Sequence, residues 1–397
     1  MTVPKTTLWP VVLTAVAAGV VAALHVGKVP PALPVIRGEL GLDLVGGGFV
    51  VATFNVLGML LAAIVGTAAD RLGRGRLITA GFLCLGAGGV LGATSHGLPL
   101  LLVSRFVEGV GFIAVAVALP AVVLAASTPR DKPLALSLWS IFTPFGMALA
   151  LFAAPLVLPL VGWRGLWLLV AALCLAALVA VRWALARVVL PAAPLGSPVR
   201  VVAATARRPG LLLLGTAFGA YAFQWVTLMV WLPTFLAADM DVGAAAAALL
   251  TALVVALNVP GNIVSGWLQR HGVGARALIV AGGLSMGLAA LGIFEPALPD
   301  VVRLGLCLLF SLIGGVIPAC LFATAPSHAP SPGHMGAANG LLMQGSALGQ
   351  FIGPPLVAAA VAAAGGAWSG ATAPMLAGAA LTIAAGWLAT ARKGGLT

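Results

Sequence analysis

Two pairs of ionisable side chains sit three residues apart inside long apolar runs: His25 with Lys28, and Arg105 with Glu108. On a helix that spacing places both members of a pair on one face. An ammonium and a guanidinium can hold an anion, while an imidazole and a carboxylate can exchange protons. A third set, Tyr221, Gln224 and Trp225, falls at i, i+3 and i+4 and is expected to form one polar-aromatic face; Tyr221 is the sole tyrosine of the chain. Asn55, Trp139, Asn258, Asn262, Asn339, Gln344 and Gln350 are further groups able to shape selectivity or to bind helix to helix. Other chemistries find no support. The sequence has no GxxxxGK[ST], HExxH or GxSxG. Its histidines at 25, 96, 271, 328 and 334 show no metal-ligand spacing, and the four cysteines, Cys84, Cys174, Cys307 and Cys320, read as small packed residues. Neither an enzyme nor a metal or cofactor is expected.

The elements that must position these residues follow from composition. Of 397 residues 61% are hydrophobic and 7% charged, with a mean hydropathy of +1.15, whereas a soluble domain carries roughly a quarter charged residues. So little charge cannot cover a water-facing surface of this size, which excludes a soluble enzyme, a disordered chain and a soluble solenoid. The chain reads as an all-α integral membrane protein. A hydrocarbon core about 30 Å thick needs about 20 helical residues. Cutting the apolar runs at charges and turn residues gives twelve spans, at 8–34, 45–66, 77–95, 98–124, 134–158, 164–185, 210–236, 243–267, 276–294, 301–325, 336–361 and 370–390.

The polar stretch 186–209 separates two six-helix bundles, 1–185 and 210–397. With both termini on one face, fifteen of the 20 Lys and Arg residues share that face, while Lys28, Arg37, Arg164 and Arg303 lie toward the other. That bias places both termini in the cytoplasm and accounts for the net charge of +11 without nucleic acid. The halves also repeat at an offset of 200: Gly66 and Arg76 against Gly266 and Arg276, Pro155 against Pro355. A duplicated bundle is the mark of a secondary transporter whose site lies between its repeats.

The loop after span 2, GTAADRLGRGR from Gly66 to Arg76, resembles the signature G-x-x-x-D-R-x-G-R of the major facilitator superfamily. Span 4 carries LVSRFVEGVG, similar to that family's Arg-x-x-Gln-Gly-x-Gly with Glu108 in the Gln position. SIFTPFGMALA in span 5 resembles its antiporter motif, with Thr143 in place of the Gly before Pro144. The resemblance implies two pseudo-symmetric six-helix bundles rocking about a central cavity lined by spans 1, 4, 7 and 10. It also implies a gating role for Gly66, Asp70, Arg71, Gly73 and Arg74: Gly66 permits close helix approach, Gly73 a tight turn, and Asp70 a contact with the positive N-terminus of span 11. Within the superfamily, HVGKVPPALPVIRGELGL and GLLMQGSALGQFIGPP look like the cyanate-permease-like branch of bacterial transporters.

With spans 1 and 4 around one cavity, Lys28 and Arg105 share a compartment with a single carboxylate, so the transported solute is expected to be a small organic or inorganic anion. Substrate contacts are assigned to Lys28, Arg105, His25, Tyr221, Gln224 and Trp225, and coupling to Glu108 and His25. Efflux of hydrophobic drugs or metabolites coupled to protons is the alternative. A non-transporting membrane sensor or enzyme is the rival of another class; it lacks an output domain and a catalytic constellation. The expected setting is a bacterial inner membrane, with a small-molecule solute, protons and membrane lipid as partners, no nucleic acid, and a monomeric chain.

Overall fold

The computed structural model describes residues 6–128, 131, 135, 138, 139, 141–190, 198–330 and 334–391; of 66–72, 198, 270, 335 and 336 only the backbone is described. Among the described residues the chain is helical with no strand. The apolar helices are Trp9–Leu40, Leu44–Val65, Arg74–Ala93, Leu98–Ala125, Phe142–Leu185, Pro209–Asp239, Ala244–Gln269, Ala275–Ile293, Asp300–Ser327, Ala337–Ala363 and Trp368–Ala391.

One of these is two spans. The 44 residues of Phe142–Leu185 would make a straight helix roughly 66 Å long, about twice the hydrocarbon thickness. Gly162 interrupts it with φ 65° and ψ −178°, a conformation that suits glycine. Packing shows the reversal. Residues before the break run parallel to span 1, with Gly146 against Ala23 and Gly27 against Met147. Those after it run antiparallel to span 3, with Gly75 near Leu185 and Gly89 against Ala171. Spans 5 and 6 are thus 142–161 and 163–185, the expected twelve crossings are present, and the two ends of the described chain share one face, called here the terminal face.

Proline sets several internal breaks. A proline ring clashes with the carbonyl four residues earlier and donates no hydrogen bond. Span 1 breaks after Gly27, four before Pro31; span 8 after Ala256, four before Pro260; span 10 after Gly314, four before Pro318. Span 2 is interrupted instead by a 3-10 turn, Thr53–Asn55. Pro233, Pro354 and Pro355 lie inside unbroken helices. The stretch between the sixth and seventh spans, expected as a polar connection, contains a short helix, Pro198–Ala206, that packs against spans 2 and 11.

Burial is inverted relative to a water-soluble protein. Leu160 and Val179 are 82% and 72% exposed, while Lys28 and Glu108 are fully buried. Apolar side chains outside and charges inside make sense where lipid is the solvent. Spans 2 and 11 meet along their length, with Gly48 against Pro355, Gly58 against Ala347 and Gly340 against Ala63. In contrast, span 7 meets the second segment of span 1, Val29–Leu40, and span 8 meets the 142–185 arms mainly through its first segment, Ala244–Ala256. Both of these contacts lie away from the terminal face.

Candidate functional site

Spans 1 and 4 bring the charged residues together in one fully buried cluster. The break at Lys28 ends the first helical segment just past His25, and the carbonyl of His25 accepts from Arg105 Nη1 at 3.0 Å. Arg105 Nε donates to the Val50 carbonyl of span 2 at 3.1 Å, and its guanidinium lies over the Phe54 ring. The carboxylate of Glu108 is the hub: Oε1 accepts from Lys28 Nζ at 2.7 Å and lies 3.0 Å from His25 Nδ1, while Oε2 accepts from Arg105 Nη1. Lys28 Nζ stands 3.1 Å from the same Nδ1 and 4.3 Å from the Trp167 ring centroid of span 6. His25 Nε2 faces Cys174 Sγ, also of span 6, at 3.2 Å.

Small residues make this convergence sterically possible. A Cβ on Gly109 would lie 1.9 Å from the Phe54 carbonyl oxygen, and one on Gly88 would lie 2.6 Å from Glu108 Cγ. His25, Lys28, Arg105 and Glu108 are each at most 1% exposed. With a neutral imidazole the cluster carries two cations against one carboxylate, a formal excess of one positive charge. Its parts can hold an anion, and its carboxylate and imidazole can carry a proton.

The set on span 7 does not form a single face. Tyr221 OH accepts from Asn258 Nδ2 at 3.0 Å, and Trp225 Nε1 donates to Ser311 Oγ at 3.0 Å, so both point toward spans 8 and 10. Asn258 Nδ2 also reaches the Ser311 carbonyl at 3.1 Å, which joins the two pairs. Gln224 departs from the expectation: its Nε2 donates to the Ala220 carbonyl at 3.3 Å and lies 3.4 Å from Thr382 Oγ1 of span 12. The cause is helical rotation. Residues i+3 and i+4 fall on opposite sides of residue i and about 100° apart, so Tyr221 and Trp225 share neighbours while Gln224 turns to span 12.

In the loop after span 2, Gly73 has φ 83° and separates the helix Val56–Leu72 from Arg74–Ala93, the tight turn expected there. Arg74 opens span 3. Gly66, Asp70 and Arg71 belong to the preceding helix, and their side chains lie outside the described residues, as does the expected contact of Asp70 with span 11.

Residues 13–354 match the family model of the Major Facilitator Superfamily. The chain belongs to this superfamily. Its fold is shared by solved structures. A bacterial homolog of the human lysosomal transporter Spinster, inward-facing and occupied, superposes with a TM-score of 0.79 at 15% identity over 98% of both chains. A D-xylose–proton symporter gives 0.73 at 15% identity over 97% of both. Among curated relatives, the quinolone resistance protein NorA of Staphylococcus aureus is 34% identical over 86 residues, 22% of each chain. An uncharacterized MFS-type transporter of Mycobacterium tuberculosis is 32% identical over 123 residues, 31% of this chain and 18% of that one. The chain thus spans about a fifth of the length of the curated relatives it matches. As a member of the Major Facilitator Superfamily it is a multi-pass membrane protein of that family's type.

Four neighbours of the charged cluster were not legible in advance: Cys174, Trp167, Phe54 and the Val50 carbonyl. Cys174 stands 149 residues from His25 in sequence, and its expected role as a small packed residue gives no sign of a polar partner. The signal that was available is the Pro30–Pro31 pair, which marks the break of span 1 just past the His25 carbonyl that Arg105 reaches. In the second half, Ser311 and Thr382 were likewise unmarked, since Ser and Thr recur throughout membrane helices.

Proposed function

We propose that this chain is a secondary transporter, not an enzyme, that carries a small anion across a bacterial inner membrane by alternating access, with both termini cytoplasmic and the bundles 1–185 and 210–397 joined by 186–209. The observation that carries the reading is the convergence of Lys28 and Arg105 on one carboxylate in a fully buried site. A charge in the membrane interior is costly and marks function by default, and here the cations outnumber the anion.

Glu108 occupies the place an anion would take, one oxygen on each cation. Protonating Glu108 frees both cations, so the arrival of one proton and of one anion is coupled through the same two side chains. His25, in contact with Glu108, is the second proton carrier. Tyr221 and Trp225 lie on the corresponding helix of the other bundle and would receive the rest of the solute, with Gln224 acting through span 12. The loop residues Gly66, Asp70, Arg71, Gly73 and Arg74 would bias the access state at the terminal face, and the chain would act as a monomer surrounded by lipid.

The test is thermal stabilisation of purified protein by a panel of small anions, since a ligand that prefers the folded state raises the melting temperature by linkage. Stabilisation by an anion that disappears in Lys28→Gln and Arg105→Gln is the expected result; an anion effect that is unchanged in both variants removes the reading. A second reading, proton-coupled efflux of hydrophobic compounds, is favoured by the likeness to a quinolone resistance protein. It predicts stabilisation by lipophilic cations alone.

A further inference from the structure

We propose that Cys174 is a positioning residue that lets the His25 ring move its proton between Nδ1 and Nε2 as the charge on Glu108 changes. The inference rests on the coupling role given above to Glu108 and His25, and its geometry is independent of which solute is carried.

His25 is fully buried, and each ring nitrogen has its own polar surroundings. Nδ1 lies 3.0 Å from Glu108 Oε1 and 3.1 Å from Lys28 Nζ. Nε2 lies 3.2 Å from Cys174 Sγ. The groups facing His25 are Lys28 on its own span, Glu108 and Arg105 on span 4, the latter through the His25 carbonyl, and Cys174 on span 6. Where spans 2, 3 and 5 pack around the cluster they contribute Phe54, Gly88 and Met147, none of which titrates.

Two arrangements satisfy every atom. With Glu108 ionised, the ring proton sits on Nδ1 and is donated to Oε1, and the thiol donates its proton to Nε2. With Glu108 neutral, the proton now on Oε1 is donated to Nδ1, the Lys28 ammonium still donates to Oε1, and the ring proton sits on Nε2 and is donated to Sγ. The passage between them balances in protons: one enters the ring at Nε2, and the one on Nδ1 passes to Glu108, so the imidazole is neutral before and after while the carboxylate becomes a carboxyl. The partner of Nε2 must therefore be a donor in the first state and an acceptor in the second. A thiol does both by rotating about its Cβ–Sγ bond. A methyl group does neither and would leave Nε2–H buried without an acceptor, so the second arrangement would be lost.

The tautomer can be read directly by nitrogen NMR of full-length protein labelled with 15N-histidine in lipid nanodiscs, the His25 signals being assigned by their loss in His25→Gln. Expected is a protonated Nδ1 in the unmodified protein, and a swap of the two nitrogen signals in Glu108→Gln, whose amide imitates the neutral carboxyl. Cys174→Ser should keep the swap. Cys174→Ala combined with Glu108→Gln should abolish it, and Cys174→Val, closer in volume, should do the same should the alanine variant fold poorly. A swap that survives in the alanine and valine backgrounds, or a protonated Nε2 in the unmodified protein, overturns the proposal. Because this readout needs no transport, its failure is separate from that of the coupling role, which is tested by whether Glu108→Gln still concentrates solute on a proton gradient.

Discussion

The two halves of this protein solve the same problem with opposite chemistry. At the offset of 200 that relates them, His25 corresponds to Trp225, Lys28 to Leu228, Arg105 to Gly305 and Glu108 to Leu308, whereas Glu39 meets an acid again in Asp239. In the first half, spans 1 and 4 are joined through ionic contacts around a buried carboxylate. In the second, spans 7, 8 and 10 are joined through neutral hydrogen bonds among Tyr221, Asn258, Trp225 and Ser311. A shared backbone plan therefore does not require a shared site. A duplicated fold can place charge, and the proton chemistry that goes with it, in one repeat while the other supplies hydrogen bonds and aromatic surface.

The contrast is also one of energetic exposure. A buried ion cluster is held tightly only while complete, because removing one member strands the rest in a low-dielectric interior. A neutral network loses a bond at a time, and membrane hydrogen bonds average about 0.6 kcal/mol. Backbone proximity serves both halves, as at Gly109 and Phe54 in the first. Gly215 and Gly219 on span 7 face Gly345 and Gly349 on span 11, and a Cβ on Gly349 would lie 1.9 Å from the Gly219 carbonyl oxygen.

The sharpest way to break this comparison is Glu108→Ala, which leaves Lys28 and Arg105 buried without their anion. It should cost about 3–5 kcal/mol of stability in detergent unfolding, whereas the triple change of Lys28→Met, Arg105→Met and Glu108→Leu should come back close to the unmodified protein while transport is lost. Equal instability of the single and triple variants would mean that packing, not charge, governs the site. Next in size is Gly349→Val, expected to cost about 3 kcal/mol by overpacking; unchanged stability in the same unfolding measurement would show the backbone contact of spans 7 and 11 to be loose.

The acids at the ends of spans 1 and 7 sharpen the comparison further. Arg303, 3% exposed, pairs with Asp239 and Asp300 and donates to the Ile293 carbonyl at 3.0 Å. Arg303→Gln should lose about 2 kcal/mol, as for a buried charged hydrogen bond. Glu39 is half exposed, accepts from Trp163 Nε1 at 2.6 Å and pairs with Arg164. Glu39→Gln should stay within about 1 kcal/mol of the unmodified protein and weaken further in its effect at high salt. Smallest of all, Tyr221→Phe should cost about 0.6 kcal/mol, because Asn258 retains its bond to the Ser311 carbonyl; a loss as large as that of Glu108→Ala would place the critical site in the second half instead.

Much of the fold was legible from order alone. The apolar runs, cut at charges and turn residues, led to twelve spans, and Gly73 and the Pro-rich start of the second segment of span 1 marked real changes in backbone direction or bonding. The turn between the fifth and sixth spans is also legible in the sequence, which ends one span at 158 and starts the next at 164; a single positive-φ glycine, Gly162, makes it. Gln224 shows the limit, since a spacing of three tells which residues are near on a helix but not which neighbouring helix each will meet. Lys28 and Arg105 were expected in one compartment, yet the carboxylate that joins them, with one oxygen on each cation, appears only when the spans are packed.

What the sequence by itself determined is the solvent and the number of crossings, which follow from hydropathy along each helix, and the family, which follows from the motif after span 2. The tertiary structure alone decided that His25, Lys28, Arg105, Glu108 and Cys174 touch. Their contacts span up to 149 residues of chain, and in lipid no hydrophobic force selects which helices meet. Steric fit at small residues such as Gly88 and Gly109 does, together with the cost of leaving a charge unpaired.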